Sequence, residues 1–566
     1  MNKVRILVLA VFIAIGSSAQ NALFIPSTLS GTSINLTLQN GTTQFYTGQI
    51  TSTMGANGNI LGPTLILNQG DFVNFSVSNQ LADTTTLHWH GLHVSAENDG
   101  GPHTTIPPNT TWQPSFTIMD KAATYWYHPH LHHHTDMQVS KGIAGMIIVK
   151  DTEEANLFLP RTYGVDDFPL VLQTKDFDVN NQIMAHSNSD DVLMVNATLD
   201  PFLNVPAQVV RYRILNGSSQ RAFNLGLSNN QSFFQIASDG GLLAAPVQLT
   251  RLMLAPGERA EILIDLGGMS GQTTYLKSYA SELQNGIYGA AIPGMAAMMT
   301  LTGYNPNVLN GTDFNILKLN VGPQLANPIS TVPSTLAIVT PLLENTANVT
   351  RTLTFSPAAM GPNQLNGDFL INGATTDLSV INYTIPLNNT EIWQLTNQSG
   401  ISHPFHIHDV QFYILTRNGI APPLNEQGRK DVVLVKPQET VRFIAKFENF
   451  TNDTVPYMYH CHLLPHEDGG MMGQFIVTGP FSINEAYLEK NITLFPNPSN
   501  GNFTINVEAG IVVKEVFIFD NLGKQVDAQT SKDGDTIAIK GLPRGVFYIK
   551  MLTSEHKEVT KKLIVQ

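Results

Sequence analysis

The seventeen histidines of this 566-residue chain are concentrated in four short clusters, and the clusters occupy two widely separated regions. The first region holds Thr86-Leu87-His88-Trp89-His90-Gly91 and Trp126-Tyr127-His128-Pro129-His130. The second holds Ser402-His403-Pro404-Phe405-His406-Ile407-His408 and His460-Cys461-His462-Leu463-Leu464-Pro465-His466. Each cluster contains a His-x-His pair. On a strand, residues i and i+2 point to the same face, so each pair can direct two imidazoles at one site. Four such pairs supply eight imidazoles and call for extended backbone around them.

The rest of the chain reads the same way. Short β-branched or alternating runs recur between Gly, Asn and Pro turns, as in Phe72–Val77, Gly145–Val149, Val210–Leu215, Glu261–Leu266, Val432–Val435 and Val441–Phe447. No long amphipathic helix interrupts them. The fold class is therefore all-β, built of sandwiches or barrels. A chain of this length forms several domains. Composition breaks at Asp151–Asn156, at Tyr304–Pro333 and after Pro480 divide it into residues 21–155, 156–320, 321–482 and 490–566.

The start, MNKVRILVLAVFIAIGSSAQ, combines Lys3 and Arg5, an apolar stretch from Ile6 to Ile15 and small residues before Gln20. It reads as a secretory signal over residues 1–20 rather than an anchor, because the apolar stretch is shorter than the roughly 20 residues a span needs. No later segment could span a bilayer, so the mature protein is expected to be secreted or held at the cell surface. A formal net charge of -13 and the lack of any basic cluster with interleaved aromatics exclude nucleic acid as a partner. Asn-x-Ser/Thr triplets such as those at Asn35, Asn109 and Asn348 arise readily in a chain this rich in Asn and Thr.

A single cysteine, Cys461, leaves an exported protein of this size without an internal disulfide. Alone it would read as a small buried hydrophobe. Its setting points to metal chemistry instead: a thiolate, two histidines and a weak methionine make a blue-copper electron-transfer site, and His403, Cys461, His466 and Met471 can supply that set. A structural zinc site needs only four ligands and would leave most of the histidines unexplained. His460 and His462 flank Cys461 and face away from it on a strand, within reach of a second metal site. A covalent path would then join a one-electron site to a polynuclear centre able to deliver four electrons to dioxygen.

The motifs HWHG, HPH, HPFHIH and HCHLLPHEDGGMM, in this order, resemble the multicopper oxidases, the family of laccases, bilirubin oxidases and bacterial copper-tolerance oxidases. The resemblance covers roughly residues 40 to 478 and includes Asp99–His103, Arg211–Ser218 and Ile236–Gly241. It implies three cupredoxin-like Greek-key β-barrel domains with a trinuclear copper centre between the first and third. It also implies four copper ions. A type 1 copper would take His403, Cys461 and His466, with Met471 axial. A type 2 copper would take His88 and His406, and a type 3 pair would take His90, His128 and His462 on one ion and His130, His408 and His460 on the other. Asp99 and Glu467 match family positions that pass protons to reduced oxygen. A turn role for Asp99 and an imidazole-orienting role for Glu467 are the alternatives.

The resemblance implies an oxidoreductase that couples one-electron oxidation of phenols or aromatic amines to reduction of dioxygen to water. Oxidation of cuprous, ferrous or manganous ions is the alternative within the family, and a non-catalytic surface copper-binding protein the alternative outside it. A copper nitrite reductase would use related domains, but four His-x-His motifs and a histidine on each side of the cysteine fit dioxygen better. Just before His403 the chain reads Ser399, Gly400, Ile401 and Ser402, with no methionine-rich insertion in the third domain. Met295, Met298 and Met299 read as core or gap filler. His186 and His556 read as surface residues, as do the two histidines after His132. Residues 490–566, with FPNPSNG near their start and KKLIVQ at their end, resemble the sorting domain of bacterial type IX secretion, which implies that machinery as a partner and a small C-terminal β-sandwich.

Overall fold

The computed structural model describes residues 20–479, 485–508, 511–533, 536–553 and 557–566. The expected secretory signal, apart from Gln20, and His556 lie outside these residues. The chain divides into two compact units at Val477/Thr478.

The larger unit holds three cupredoxin-like barrels, each a pair of packed sheets around its own apolar cluster. In the first barrel, the strand Ser33–Thr43 alternates buried and exposed residues along its first half, as a strand with one wet face must. It pairs with Thr51–Ala56 and Phe72–Asn79. The opposing sheet carries His88–His90 at its edge, next to Ala123–His128. Leu36, Phe75, Trp89, Tyr127 and Ile147 fill the space between the sheets.

The middle barrel is built on Asp167–Phe177, Val209–Asn216 and Arg259–Asp265 in one sheet and on Pro201–Pro206, Phe314–Gly322 and Thr273–Ser278 in the other. Phe314–Gly322 lies inside the Asn/Pro-rich stretch, where its own alternation makes a strand. The short strand Asn21–Ala22 also pairs here, with Pro201 and Phe202. Val209–Asn216 is buried along its whole length. Its outward charges, Arg211 and Arg213, are matched by Glu261, Asp167 and Glu154, and Glu261 accepts from Thr124 of the first barrel.

The third barrel sets Val349–Pro357, Thr390–Asn397 and Thr440–Lys446 against a sheet ordered Tyr383–Pro386, Met472–Thr478, Tyr457–Cys461, His403–Ile407, Val432–Val435. Trp393, Phe405, Phe443 and Phe475 form its centre, and Cys461 and Met471 belong to the same buried cluster. The smaller unit is a separate β-sandwich of a four-stranded and a three-stranded sheet, closed over Phe503, Ile505, Ile549 and Leu563. No helix among the described residues is long and apolar enough to cross a membrane.

Candidate metal centre

Strand register assembles the histidine motifs in pairs. His88 lies opposite His128 in the first barrel. In the third, His406 lies opposite His460 and Phe405 opposite Cys461. The two barrels face each other here, and all eight imidazoles of the His-x-His pairs are buried.

They sort into groups whose donor atoms lie within 4.8 Å of one another: His90, His128 and His462; His130, His408 and His460; and His88 and His406, with His90 between them. His90 Nδ1 is 3.3 Å from His128 Nε2, and His130 Nε2 is 3.1 Å from His460 Nε2 and 3.2 Å from His408 Nε2. Three of the four His-x-His pairs are thus split between neighbouring groups, while His88 and His90 also share one. Ring centroids within the pairs are 5.1 to 6.2 Å apart, which suits adjacent sites.

The rings are aimed from behind. The Nδ1–H groups of His88, His128, His406 and His460 donate to the carbonyls of Asp99, Pro129, Asp431 and Cys461 at 2.8 to 3.1 Å, which turns each Nε2 lone pair inward. His90 is reversed, with Nε2 at 3.1 Å from Asp431 Oδ1 and Nδ1 facing the cluster. Burial pushes His90, His128, His130 and His406 well below their ordinary range, His408 to about 4 and His462 to about 3. At neutral pH these imidazoles are therefore uncharged donors. His88 Nε2, His406 Nε2 and both ring nitrogens of His462 are buried without a hydrogen-bond partner. An orphaned polar atom costs about 1–3 kcal/mol, so a cluster of them fits a site that metal ions complete.

A second pocket lies on the other side of the His460–His462 segment. Cys461 Sγ is 3.4 Å from His403 Nδ1 and 3.7 Å from His466 Nδ1, and the two Nδ1 atoms are 3.3 Å apart. Met471 is fully buried, and its backbone bonds to His466 and Cys461 hold it beside both. Burial pushes the Cys461 thiol up and His466 down to about 3. Of these donors only His466 is partly exposed. Soft sulfur with two imidazoles suits copper.

Both carboxylates expected from the sequence touch the histidine cluster. Asp99 Oδ2 is 2.8 Å from His408 Nδ1, and Glu467 lies 3.3 Å from His130 Nδ1 and 3.2 Å from His460 Nδ1. Burial works against charge on both, but the neighbouring imidazoles and the hydrogen bonds they donate outweigh it and hold both carboxyls well below the usual carboxylate range.

Some contributing residues escaped the sequence reading. Ser399 Oγ accepts from His403 Nε2 at 2.8 Å and fixes the outer side of that ring. The Phe369 ring packs on both His403 and His466. Asp431 touches His90 and His406. None sits in a repeated motif, so only the fold could find them. Of the histidines after His130, His133 and His134 are exposed and His132 partly so, and His133 Nδ1 donates to the Asp468 carbonyl. His186 is exposed but pairs with Asp468 at 2.8 Å.

Three cupredoxin-like barrels thus hold a Cys/His/His pocket beside an eight-histidine cluster, a donor set suited to metal ions. The multicopper oxidase family profiles match residues 37–154 and 342–480, and a secretion system C-terminal sorting domain matches residues 493–566. A multicopper oxidase of Staphylococcus haemolyticus is 35% identical over 453 residues, covering 78% of this chain and 88% of that one. The cell division protein FtsP of Edwardsiella tarda is 32% identical over 469 residues, covering 81% and 93%. A laccase-like multicopper oxidase from an Ochrobactrum species, with oxidase activity towards lignin model compounds, superposes with a TM-score of 0.70 at 33% identity over 81% of this chain and all of that one. A metallo-oxidase from Campylobacter jejuni gives 0.68 at 26%, over 81% and 96%. The chain belongs to the multicopper oxidases, a copper-binding family of oxidoreductases, and carries a sorting domain for export to the cell surface or beyond.

Proposed function

We propose that the protein is a laccase-like oxidase that takes electrons singly from phenols or aromatic amines at the Cys461 pocket and delivers them to dioxygen at the histidine cluster. The observation that carries this reading is the run His460-Cys461-His462. Cys461 belongs to one pocket, while its two bonded neighbours belong one to each histidine triad, so a single tripeptide connects the two donor sets. In this reading His403, Cys461 and His466, with Met471 beside them, would hold a type 1 copper. His88 and His406 would hold a type 2 copper, and the two triads would hold a type 3 pair, four ions in all. Bound copper supplies one-electron acceptance at the first site and multi-electron reduction at the second. The residues around the ions do the rest. The partly exposed His466 offers the edge by which a reductant approaches. Asp99 Oδ2 and Glu467, backed by His408, His130 and His460, pass on the protons that reduced oxygen consumes.

A second reading, oxidation of a reduced metal ion, gains support from a segment the sequence treated as filler. Met295 N–H donates to the Gly400 carbonyl at 2.7 Å, three residues before His403. Met299 is partly buried against the third barrel, but Met295 and Met298 are 44% and 70% exposed. Exposed thioethers are soft ligands suited to cuprous ions.

The deciding experiment is dioxygen uptake by copper-loaded protein with a phenolic donor and, separately, with cuprous or ferrous ions, while hydrogen peroxide is assayed. Rapid uptake with phenol and little peroxide is expected. Preference for metal ions would move the protein to the second reading, and absent uptake despite full copper loading would overturn both.

A further inference from the structure

The middle barrel contributes no donor to either pocket, yet one of its side chains reaches the histidine cluster. Arg259 is fully buried and spends its guanidinium on all three barrels. Its Nε donates to Thr124 O of the first at 3.0 Å, NH1 and NH2 donate to Gly257 O and Asp239 O of the middle one at 3.0 Å, and the same two nitrogens clamp the Asp431 carboxylate of the third at 2.6 Å each. Asp431 passes that position on. Its Oδ1 accepts from His90 Nε2 at 3.1 Å, and its backbone carbonyl accepts from His406 Nδ1 at 2.8 Å.

These two contacts decide which nitrogen each ring presents. An imidazole that donates through one nitrogen offers its lone pair at the other. His90 is therefore held with Nδ1 inward and His406 with Nε2 inward, from opposite barrels, by one residue whose own orientation is fixed by Arg259. A bidentate guanidinium–carboxylate pair suits this use because its planar fork permits one relative orientation.

The backbone has been cleared for the pair. Gly91, directly after His90, has φ of +90°, and a Cβ there would lie 2.5 Å from Asp431 Oδ2 and 2.7 Å from Arg259 NH2. Gly257, two residues before Arg259, has φ of +84°, and a Cβ there would press on the His462 ring at 3.0 Å. Both positions demand glycine for conformation as well as space.

We infer that Arg259 and Asp431 form a positioning pair through which the middle barrel sets the ligand geometry of the histidine cluster, independently of the Cys461 pocket. The inference rests on the copper reading above. Residues that orient metal ligands typically change metal affinity by about 10–100-fold when replaced.

The test is copper loading of the full chain followed by spectroscopy that separates the two sites. In Arg259→Gln and Asp431→Asn, copper per chain should fall while the blue band and type 1 EPR signal stay at the native level. The type 2 EPR signal and the near-ultraviolet type 3 band should weaken, with cluster affinity reduced by about 10–100-fold. Gly91→Ala, which keeps both charges and displaces the pair, should give the same selective loss if the larger changes prevent folding. Equal loss of both copper classes, as general destabilisation would give, overturns the inference, and so does retention of both. A native protein that takes up no copper at either site would instead fail the copper reading and bring the inference down with it; the native control tells the two failures apart.

Discussion

Cys461 shows most directly how far a single position determines chemistry. Burial pushes its thiol up, so in the absence of metal the sulfur is protonated at neutral pH, and a metal must displace that proton to gain the thiolate. Replacing the sulfur should separate the two pockets. In Cys461→Ser the blue absorption and the oxidase activity are expected to vanish, while the histidine cluster, whose donors are untouched, still takes up copper measurable by metal analysis and type 2 EPR. Blue absorption surviving in that variant would sink the assignment of the pocket. The twelve candidate ligands and the two carboxylates were legible in sequence because they stand in short motifs of rare, chemically specific residues. Ser399, Arg259 and Asp431 were not. Each is a common polar residue at an ordinary place in a strand or turn; Ser399 acts on His403 only four residues on, while Arg259 and Asp431 matter through partners far away in the chain.

Strands were readable for a different reason. Apolar residues packed between two sheets impose alternation or continuous β-branched runs, so Val432–Val435 was read with its observed bounds and Val209–Asn216 to within a residue at each end. Connections carry no such period. The segment from Gly286 to Met299 leaves the middle barrel and docks on Gly400 and Ser402, and nothing in its composition announced where it would land. The turn after His88–His90 is another case. There His93, mostly buried, places Nδ1 2.8 Å from Asp409 Oδ1, just past the strand His403–Ile407, and its N–H donates to Asp120. Burial alone would lower the His93 pKa, but Asp409 and Asp120 outweigh it and raise it to about 9. A histidine raised above its unfolded value of about 6.5 contributes stability that is complete below pH ~6.5 and lost as pH climbs through about 9. That contribution is about 3 kcal/mol. Asp120, pushed up by burial to about 6, titrates below that window. The advantage in thermal midpoint of the native protein over His93→Gln should therefore shrink between pH 6.5 and 9; a difference that stays constant across that range would remove the pair from the account of stability.

Taken whole, the chain separates catalytic and delivery chemistry into units with independent cores. Within the larger one the three barrels cannot be treated singly, because the histidine cluster draws ligands from the first and third and is tied by Arg259 to the second. This interdependence follows from where the motifs lie: four clusters at two ends of a long chain can meet only if the intervening residues fold back as a body of their own. The smaller unit has a complete apolar centre of its own, including Phe503, Ile505, Phe547 and Leu563, and contributes none of the candidate ligands. A domain with its own core can be removed without unfolding its neighbour. A chain ending at Gly479 is therefore expected to load copper and to consume dioxygen within about twofold of the full protein. In a host with type IX secretion the same truncated chain should fail to reach the cell surface or medium. Loss of copper loading on truncation would show that the sorting unit supports the fold of the oxidase, and normal surface delivery without it would remove its role in export. Purified full-length and truncated proteins compared by copper content and oxygen uptake, with fractionation of the expressing cells, separate these outcomes.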